Sequence, residues 1–103
     1  MLKQGDIIKI KAQNEYKSAL IISNDIFNTQ TKLAIICPIM NTDSEFPLHI
    51  NLDKRTKTTG VILCEHVKTL DLNTRVNRFV EKLPDDILER VIDVIFAETE
   101  IIN

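Results

Sequence analysis

Tryptophan is absent from the chain, tyrosine occurs once, and glycine occurs only twice, as Gly5 and Gly60. Two isolated glycines cannot build the Gly-rich loops that cradle phosphates, which sets aside the usual dinucleotide and nucleoside-triphosphate enzymes. Cysteine also occurs only twice, and Cys37 and Cys64 each lie inside an apolar run. That is no disulfide framework, and it fits a reducing, cytoplasmic setting. Cys37, His49, Cys64 and His66 follow no recognised metal-ligand spacing beyond a loose Cys64-x-His66, so neither a metal nor a cofactor is expected. A cysteine nucleophile is poorly supported, because burial would raise a thiol's pKa. No apolar run reaches the length of a membrane span, and the first six residues do not read as a signal peptide; no membrane partner is expected.

What is present is ordinary globular usage: 103 residues, 44% hydrophobic and 27% charged, enough for one domain spanning 1–103. A chain of this size buries a real core but gains much from a dimer interface. The net charge of -2 hides an asymmetry. Residues 1–82 carry twelve Lys and Arg against nine Asp and Glu, whereas residues 83–103 carry one against six. The body is therefore mildly basic and able to hold a polyanion locally. The acidic end is either functional or simply the solvated face of a helix.

Hydropathy patterning predicts strands followed by a helix. Gly5-Asp6 opens a half-buried strand over Ile7–Lys11, with Lys9 and Lys11 on its wet face. Gln13–Tyr16 reads as a turn. Ala19–Ile22 is a continuous apolar run ended by Ser23-Asn24-Asp25, as in a central strand. Lys32–Pro38 is another, with Pro38 expected at its end because proline donates nothing to a ladder. Phe46–Leu52 alternates, with Leu48, Ile50 and Leu52 on one face, and Gly60–Cys64 reads as a fifth strand. A helical turn over Asp71–Arg75 and a short strand over Arg78–Glu81 follow. From Pro84 onward, Ile87, Leu88, Val91, Ile92, Ile95 and Phe96 recur at helical spacing, and Asp85 and Asp86 suit the positive end of the helix dipole. The expected fold is mainly β within α+β, a small curled antiparallel sheet with a C-terminal amphipathic helix packed on it.

Three polar clusters flank these strands: Glu15–Ser18, Asn41–Ser44 and Glu65–Thr69. Loops at strand ends are where binding and catalytic groups usually sit, though ordinary surface turns look the same.

The ordered set Gly5-Asp6-Ile7, Ala19–Asp25, Ile36-Cys37-Pro38-Ile39, Phe46–His49, Thr58–Glu65, Lys68–Asp71 and Val80–Pro84 resembles the MazF/PemK toxins of bacterial toxin–antitoxin pairs. The resemblance runs from residue 5 to about residue 98, nearly the whole chain. It implies an SH3-like, strongly curved antiparallel sheet or small barrel. It also implies a symmetric homodimer, an antitoxin that covers the RNA groove, and metal-independent, sequence-specific cleavage of single-stranded messenger RNA.

Two departures stand out against that family. Members usually carry a Gly-rich first loop followed by Arg-Pro; here the loop is short and Lys17-Ser18 replaces that pair. The family's catalytic Thr falls where this chain has Met40, with Asn41 and Thr42 just beyond. Cleavage through the RNA's own 2′-hydroxyl needs a proton acceptor, a proton donor and stabilisation of the phosphorane. Lys17 supplies charge without the guanidinium fork, and serves as an acid only if burial lowers its pKa. Met40 has no hydroxyl to donate, and one lost donor costs about a hundredfold to a thousandfold in rate by analogy with oxyanion holes. Thr42 compensates only if the loop shifts.

Other positions carry over from the resemblance. Glu65 matches an acidic family position, and His66 falls where many members have a Gln on the RNA. An imidazole there accepts a proton near neutral pH, or merely ends a strand. The catalytic candidates are thus Lys17, Thr42, Glu65 and His66. The RNA-binding candidates are Ser18, Met40, Asn41, Asp43, Phe46, Lys57, Thr58, Lys68 and Thr69. Lys54, Arg55, Lys57, Thr58 and Thr59 form either a phosphate track or a solvated loop. Phe46 and Tyr16 are base-stacking surfaces, or in the case of Phe46 the first core residue of its strand.

Three readings follow: an endoribonuclease toxin, weakened by the two exchanges; a toxin-fold module that binds RNA or an antitoxin without cutting; and an inhibitor of a protein target, as the CcdB toxins of the same fold are. The last is disfavoured, because those act through C-terminal helix residues that typically include a Trp.

Overall fold

The computed structural model describes residues 2–42 and 45–102. In chain order the elements are β1 (Asp6–Ala12), β2 (Glu15–Ile21), α1 (Asp25–Thr31), β3 (Leu33–Met40), β4 (His49–Asn51), β5 (Val61–Leu63), β6 (Lys68–Asp71), β7 (Asn77–Lys82) and α2 (Asp85–Glu98). The seven strands form one antiparallel sheet in the order β4-β5-β3-β2-β1-β7, with β6 also pairing with β3. β3 is shared by two partners along one edge: Leu33–Ile36 pair with β6, whereas Ile39 and Met40 pair with β5.

The continuous apolar runs are explained by burial on both faces of the sheet. Ile7, Leu20, Cys37, Ile39 and Ile62 point to one side, where Ile50 of β4 and Ile87 and Val91 of α2 cover them. Ile8, Ile10, Ala19, Ile21, Ala34, Ile36 and Leu70 point to the other and form a second core. Lys9 and Lys11 stay out of both, as the alternation in β1 predicts. On α2 the stripe is narrower than its spacing suggests, since Phe96 is 73% exposed.

Several expectations are corrected. The first turn is only Gln13-Asn14, with Gln13 in the left-handed region at φ 57°; Glu15 already pairs with Ala12. Lys17 and Ser18 therefore sit inside β2 rather than before it. Pro38 lies within β3, not at its end. Ile22 donates to Ile35 O, so Pro38, three residues on, faces Ala19 at a site where no ladder bond to β2 is lost, and its nitrogen points into the gap between β6 and β5. Only His49–Asn51 of the Phe46–Leu52 segment is strand. Lys68–Asp71, read as a polar cluster and the start of a turn, is β6.

α1 is not predicted by any apolar stripe: Ile26 is 75% exposed. It forms because Asn24 caps it, accepting from Phe27 N at 2.8 Å, and because Asp25 occupies its first turn. Its inward residue is Asn28, whose amide oxygen accepts from Ser23 Oγ; that hydroxyl in turn accepts from Ile35 N at 2.9 Å, tying α1 to β3.

Candidate functional site

Ser18 pairs with Ile39, so the outer ends of β2 and β3 lie side by side. Together with the turn after β5 they bound an open hollow of about 370 Å³. Lys17, Ser18, Met40, Asn41, His66 and Lys68 line it, alongside Tyr16 and Pro38. Six sequence-predicted site residues thus converge from three separate stretches of the chain.

The hollow is cationic. Lys17 Nζ lies 3.8 Å from Glu15 Oε1, but both side chains are about two-thirds exposed, at 67% and 71%. Water screens such a pair, which leaves the ammonium available to an anion. The burial needed to make Lys17 an acid is not there. The guanidinium of Arg78 lies 5.5 Å from the centre of the Tyr16 ring, which places a further cation beside the hollow.

Two neighbouring hollows extend this surface. One, of about 280 Å³, shares Lys17, Ser18 and Lys68 and adds Thr69 and Arg75 above an apolar floor that includes Ile36 and Leu70. The other, of about 300 Å³, shares Ser18 and Asn41 and adds Lys9, Lys57, Thr58 and Thr59. Lys9 and Arg75 also line these hollows and are not among the sequence-predicted candidates; the wet-face alternation of β1 is the available signal for Lys9.

Thr42 and Glu65 are not among the residues lining the main hollow. Thr42 lines a separate one of about 350 Å³ with Asn41, Asn51, Gly60 and Val61. Glu65 turns to His49: Nε2 of His49 lies 2.6 Å from its Oε2, and Nε2 of His66 lies 3.9 Å from the same oxygen. Burial works against the charged carboxylate here. Hydrogen bonds from its own backbone N–H and from His49, with the charges of His49 and His66, outweigh that and hold Glu65 below the ordinary carboxylate value. Glu98 on α2 is pushed up, first by burial and then by the charge of Glu65. Phe46 is 47% exposed and meets the His49 ring edge-on, with centroids 5.1 Å apart. Asp43 lies outside the described residues.

The supposed phosphate track divides. Arg55 is fully engaged, with Nη1 and Nη2 each 2.9 Å from an oxygen of Asp86 and further bonds to Asp53. Lys57, Thr58 and Thr59 do face a hollow. Cys37 and Cys64 are both buried, and desolvation pushes each thiol up to about 12, with the neighbouring Cys64 adding to the effect on Cys37. Such thiols are inert as nucleophiles at neutral pH. No helix among the described residues is long and apolar enough to cross a membrane.

A family model described as "PemK-like, MazF-like toxin of type II toxin-antitoxin system" matches residues 3–96. The endoribonuclease PemK of Escherichia coli is 27% identical over 84 residues, covering 78% of this chain and 63% of that protein. The chain therefore spans less than two thirds of that relative's length. A MazE–MazF complex from Deinococcus radiodurans superposes with a TM-score of 0.87 at 23% identity, over 94% of this chain and 93% of that one. An endoribonuclease in complex with its cognate antitoxin, from a mycobacterial species, superposes with a TM-score of 0.84 at 14% identity, over 94% and 93% of the two chains. At those identities the likeness to solved structures is one of fold.

Proposed function

The chain belongs to the PemK-like, MazF-like toxins of type II toxin–antitoxin systems, and from that premise we propose that it is a slow, metal-independent endoribonuclease that cuts single-stranded messenger RNA at a specific sequence. The observation that carries this reading is the cationic hollow where Lys17, Ser18, Asn41, His66 and Lys68 converge. Two ammonium groups there can neutralise a phosphate, and the groups around them supply donors and an imidazole.

In this reading the 2′-oxygen bonds to phosphorus and the bond to the 5′-oxygen breaks. The products are a 2′,3′-cyclic phosphate and a 5′-hydroxyl. His66 takes the proton from the 2′-hydroxyl, with the Glu65 carboxylate 3.9 Å from its Nε2. Lys17 and Lys68 neutralise the phosphate, and because Lys17 is too exposed to act as an acid, water protonates the leaving 5′-oxygen. Ser18 and Asn41 donate to the non-bridging oxygens. Met40 contributes no donor where the family places a hydroxyl, which makes the enzyme slow. Lys17 in place of Arg adds to that, since a point charge replaces a planar fork.

The same reading assigns the chain a cytoplasmic setting, a homodimeric state and an acidic cognate antitoxin that occupies the RNA surface. Sedimentation of the purified chain tests the first association, and relief of growth arrest by the neighbouring gene's product tests the second.

A catalytically silent binder is the second reading, and Met40 favours it. Incubation with long single-stranded RNA in chelator separates the two. Fragments support the enzyme; salt-dependent binding with intact RNA supports the binder.

A further inference from the structure

We propose that Glu81, far from the proposed chemistry in sequence and outside the hollows, is a positioning residue that holds the segment 53–60 in place to complete the RNA surface; this rests on the RNA-binding reading above. The segment has no secondary structure of its own between β4 and β5. Its shape is imposed from three sides.

At its start, Arg55 bridges Asp53 to Asp86 at the first turn of α2. In its middle, the Glu81 carboxylate on β7 accepts three hydrogen bonds: from Lys57 N at 3.0 Å, Thr58 N at 2.8 Å and Thr58 Oγ1 at 2.8 Å. At its end, Gly60 passes so close to β3 that a Cβ there would stand 2.5 Å from Met40 O.

What this anchoring presents is polar rather than apolar. Lys57, Thr58 and Thr59 face the hollow that also holds Lys9 and Ser18. Thr59 Oγ1 donates to Asn41 Oδ1 at 3.1 Å, and Asn41 lines the main hollow as well. A continuous path of short contacts therefore runs from Glu81 through Thr58 and Thr59 to Asn41, beside Met40. The Arg55 bridge already fastens the segment to α2. Glu81 adds the setting of Lys57 and Thr58, which displays the cation Lys57 and leaves Thr59, the next residue, against Asn41. A carboxylate that accepts from two successive backbone amides fixes their direction as well as their position.

The test uses the full chain and a single-stranded RNA carrying 2′-O-methyl groups throughout, which cannot be cut through the 2′-oxygen. Wild type, Glu81→Gln, Glu81→Asp, Lys57→Ala and the Glu81→Gln/Lys57→Ala double variant are compared by fluorescence anisotropy, with amide hydrogen exchange at Lys57 and Thr58 read by NMR. In Glu81→Gln those two amides are expected to exchange faster and RNA to bind about tenfold more weakly, the scale of one lost anchor. Glu81→Asp, which keeps the charge, shifts both readouts the same way but less, and serves if the Gln variant does not fold. In the double variant most of the Glu81→Gln effect disappears, because it acts through Lys57. Faster exchange with unchanged binding, or full additivity in the double variant, overturns the positioning role and leaves the RNA reading standing. Failure of wild type to bind the RNA overturns that reading, and this inference with it.

Discussion

Lys17 and Met40 stand one residue outward from the Ser18–Ile39 pair on neighbouring strands, and both line the same hollow. The two positions that the family resemblance marks as exchanged therefore line one small hollow. A cation stands there beside a thioether, which has no hydroxyl to donate.

Restoring that hydroxyl is the sharpest chemical test. Met40 is 54% exposed, so Met40→Thr removes little buried surface, and a β-branched residue suits a strand. The initial rate on single-stranded RNA should rise by about a hundredfold, the lower end of what one such donor contributes elsewhere. An unchanged rate would mean that position 40 does not face the reacting phosphate.

Lys17→Ala should weaken RNA binding at low salt more than at high salt. One phosphate contact on a single strand contributes about 0.7 to the slope of log K against log salt, and the variant should lose that much. Anisotropy titrations at four salt concentrations read the slope directly. Parallel lines for wild type and variant would place Lys17 off the RNA.

Much of the sheet is legible in the sequence, because buried strands write themselves as apolar runs: Ala19–Ile22, Lys32–Cys37 and Gly60–Cys64 all fall in or beside strands. α1 is not legible, since it buries Asn28 rather than an apolar stripe. β6 is hidden because Lys68 and Thr69 are polar and its pairing with β3 spans more than thirty residues of chain. Lys17, Met40 and His66 stand out as candidates through the family resemblance alone. The anchor at Glu81 leaves no local pattern, because its partners lie more than twenty residues away.

Gly60 tests the packing beneath the site. Its φ is +118°, and a Cβ would meet Met40 O at 2.5 Å and Met40 C at 2.8 Å. Gly60→Ala should therefore destabilise the fold by about 1–3 kcal/mol through backbone strain alone, with the clash adding to it. Urea denaturation gives the number; a loss under about 0.5 kcal/mol, the scatter of surface substitutions, would contradict the close approach.

Acid should unfold the protein in part through Glu65 and Glu81. Both carboxyls are held below their ordinary value of 4.5, despite burial that opposes this, by hydrogen bonds to the charged form: from its own backbone and His49 for Glu65, and from Lys57 and Thr58 for Glu81. A depressed folded-state pKa means that the stabilisation is complete above the unfolded value and is lost as pH falls through the folded one. Glu98 runs the other way, since its raised folded-state value lets protonation favour the fold as pH drops toward 4.5. Denaturant midpoints between pH 7 and pH 3 should therefore fall mainly below the ordinary carboxylate value of 4.5, and less in Glu65→Gln than in wild type. An equal fall in both would show that the His49–Glu65 pair contributes nothing to acid lability.

The most direct test of the proposed chemistry is the structure of the RNA ends. Purified protein incubated in chelator with a long single-stranded RNA should yield discrete fragments bearing 2′,3′-cyclic phosphates and 5′-hydroxyls, faster with Met40→Thr and slower with Lys17→Ala. RNA left intact by wild type and by Met40→Thr at stoichiometric protein would contradict the nuclease assignment and leave a binder in its place.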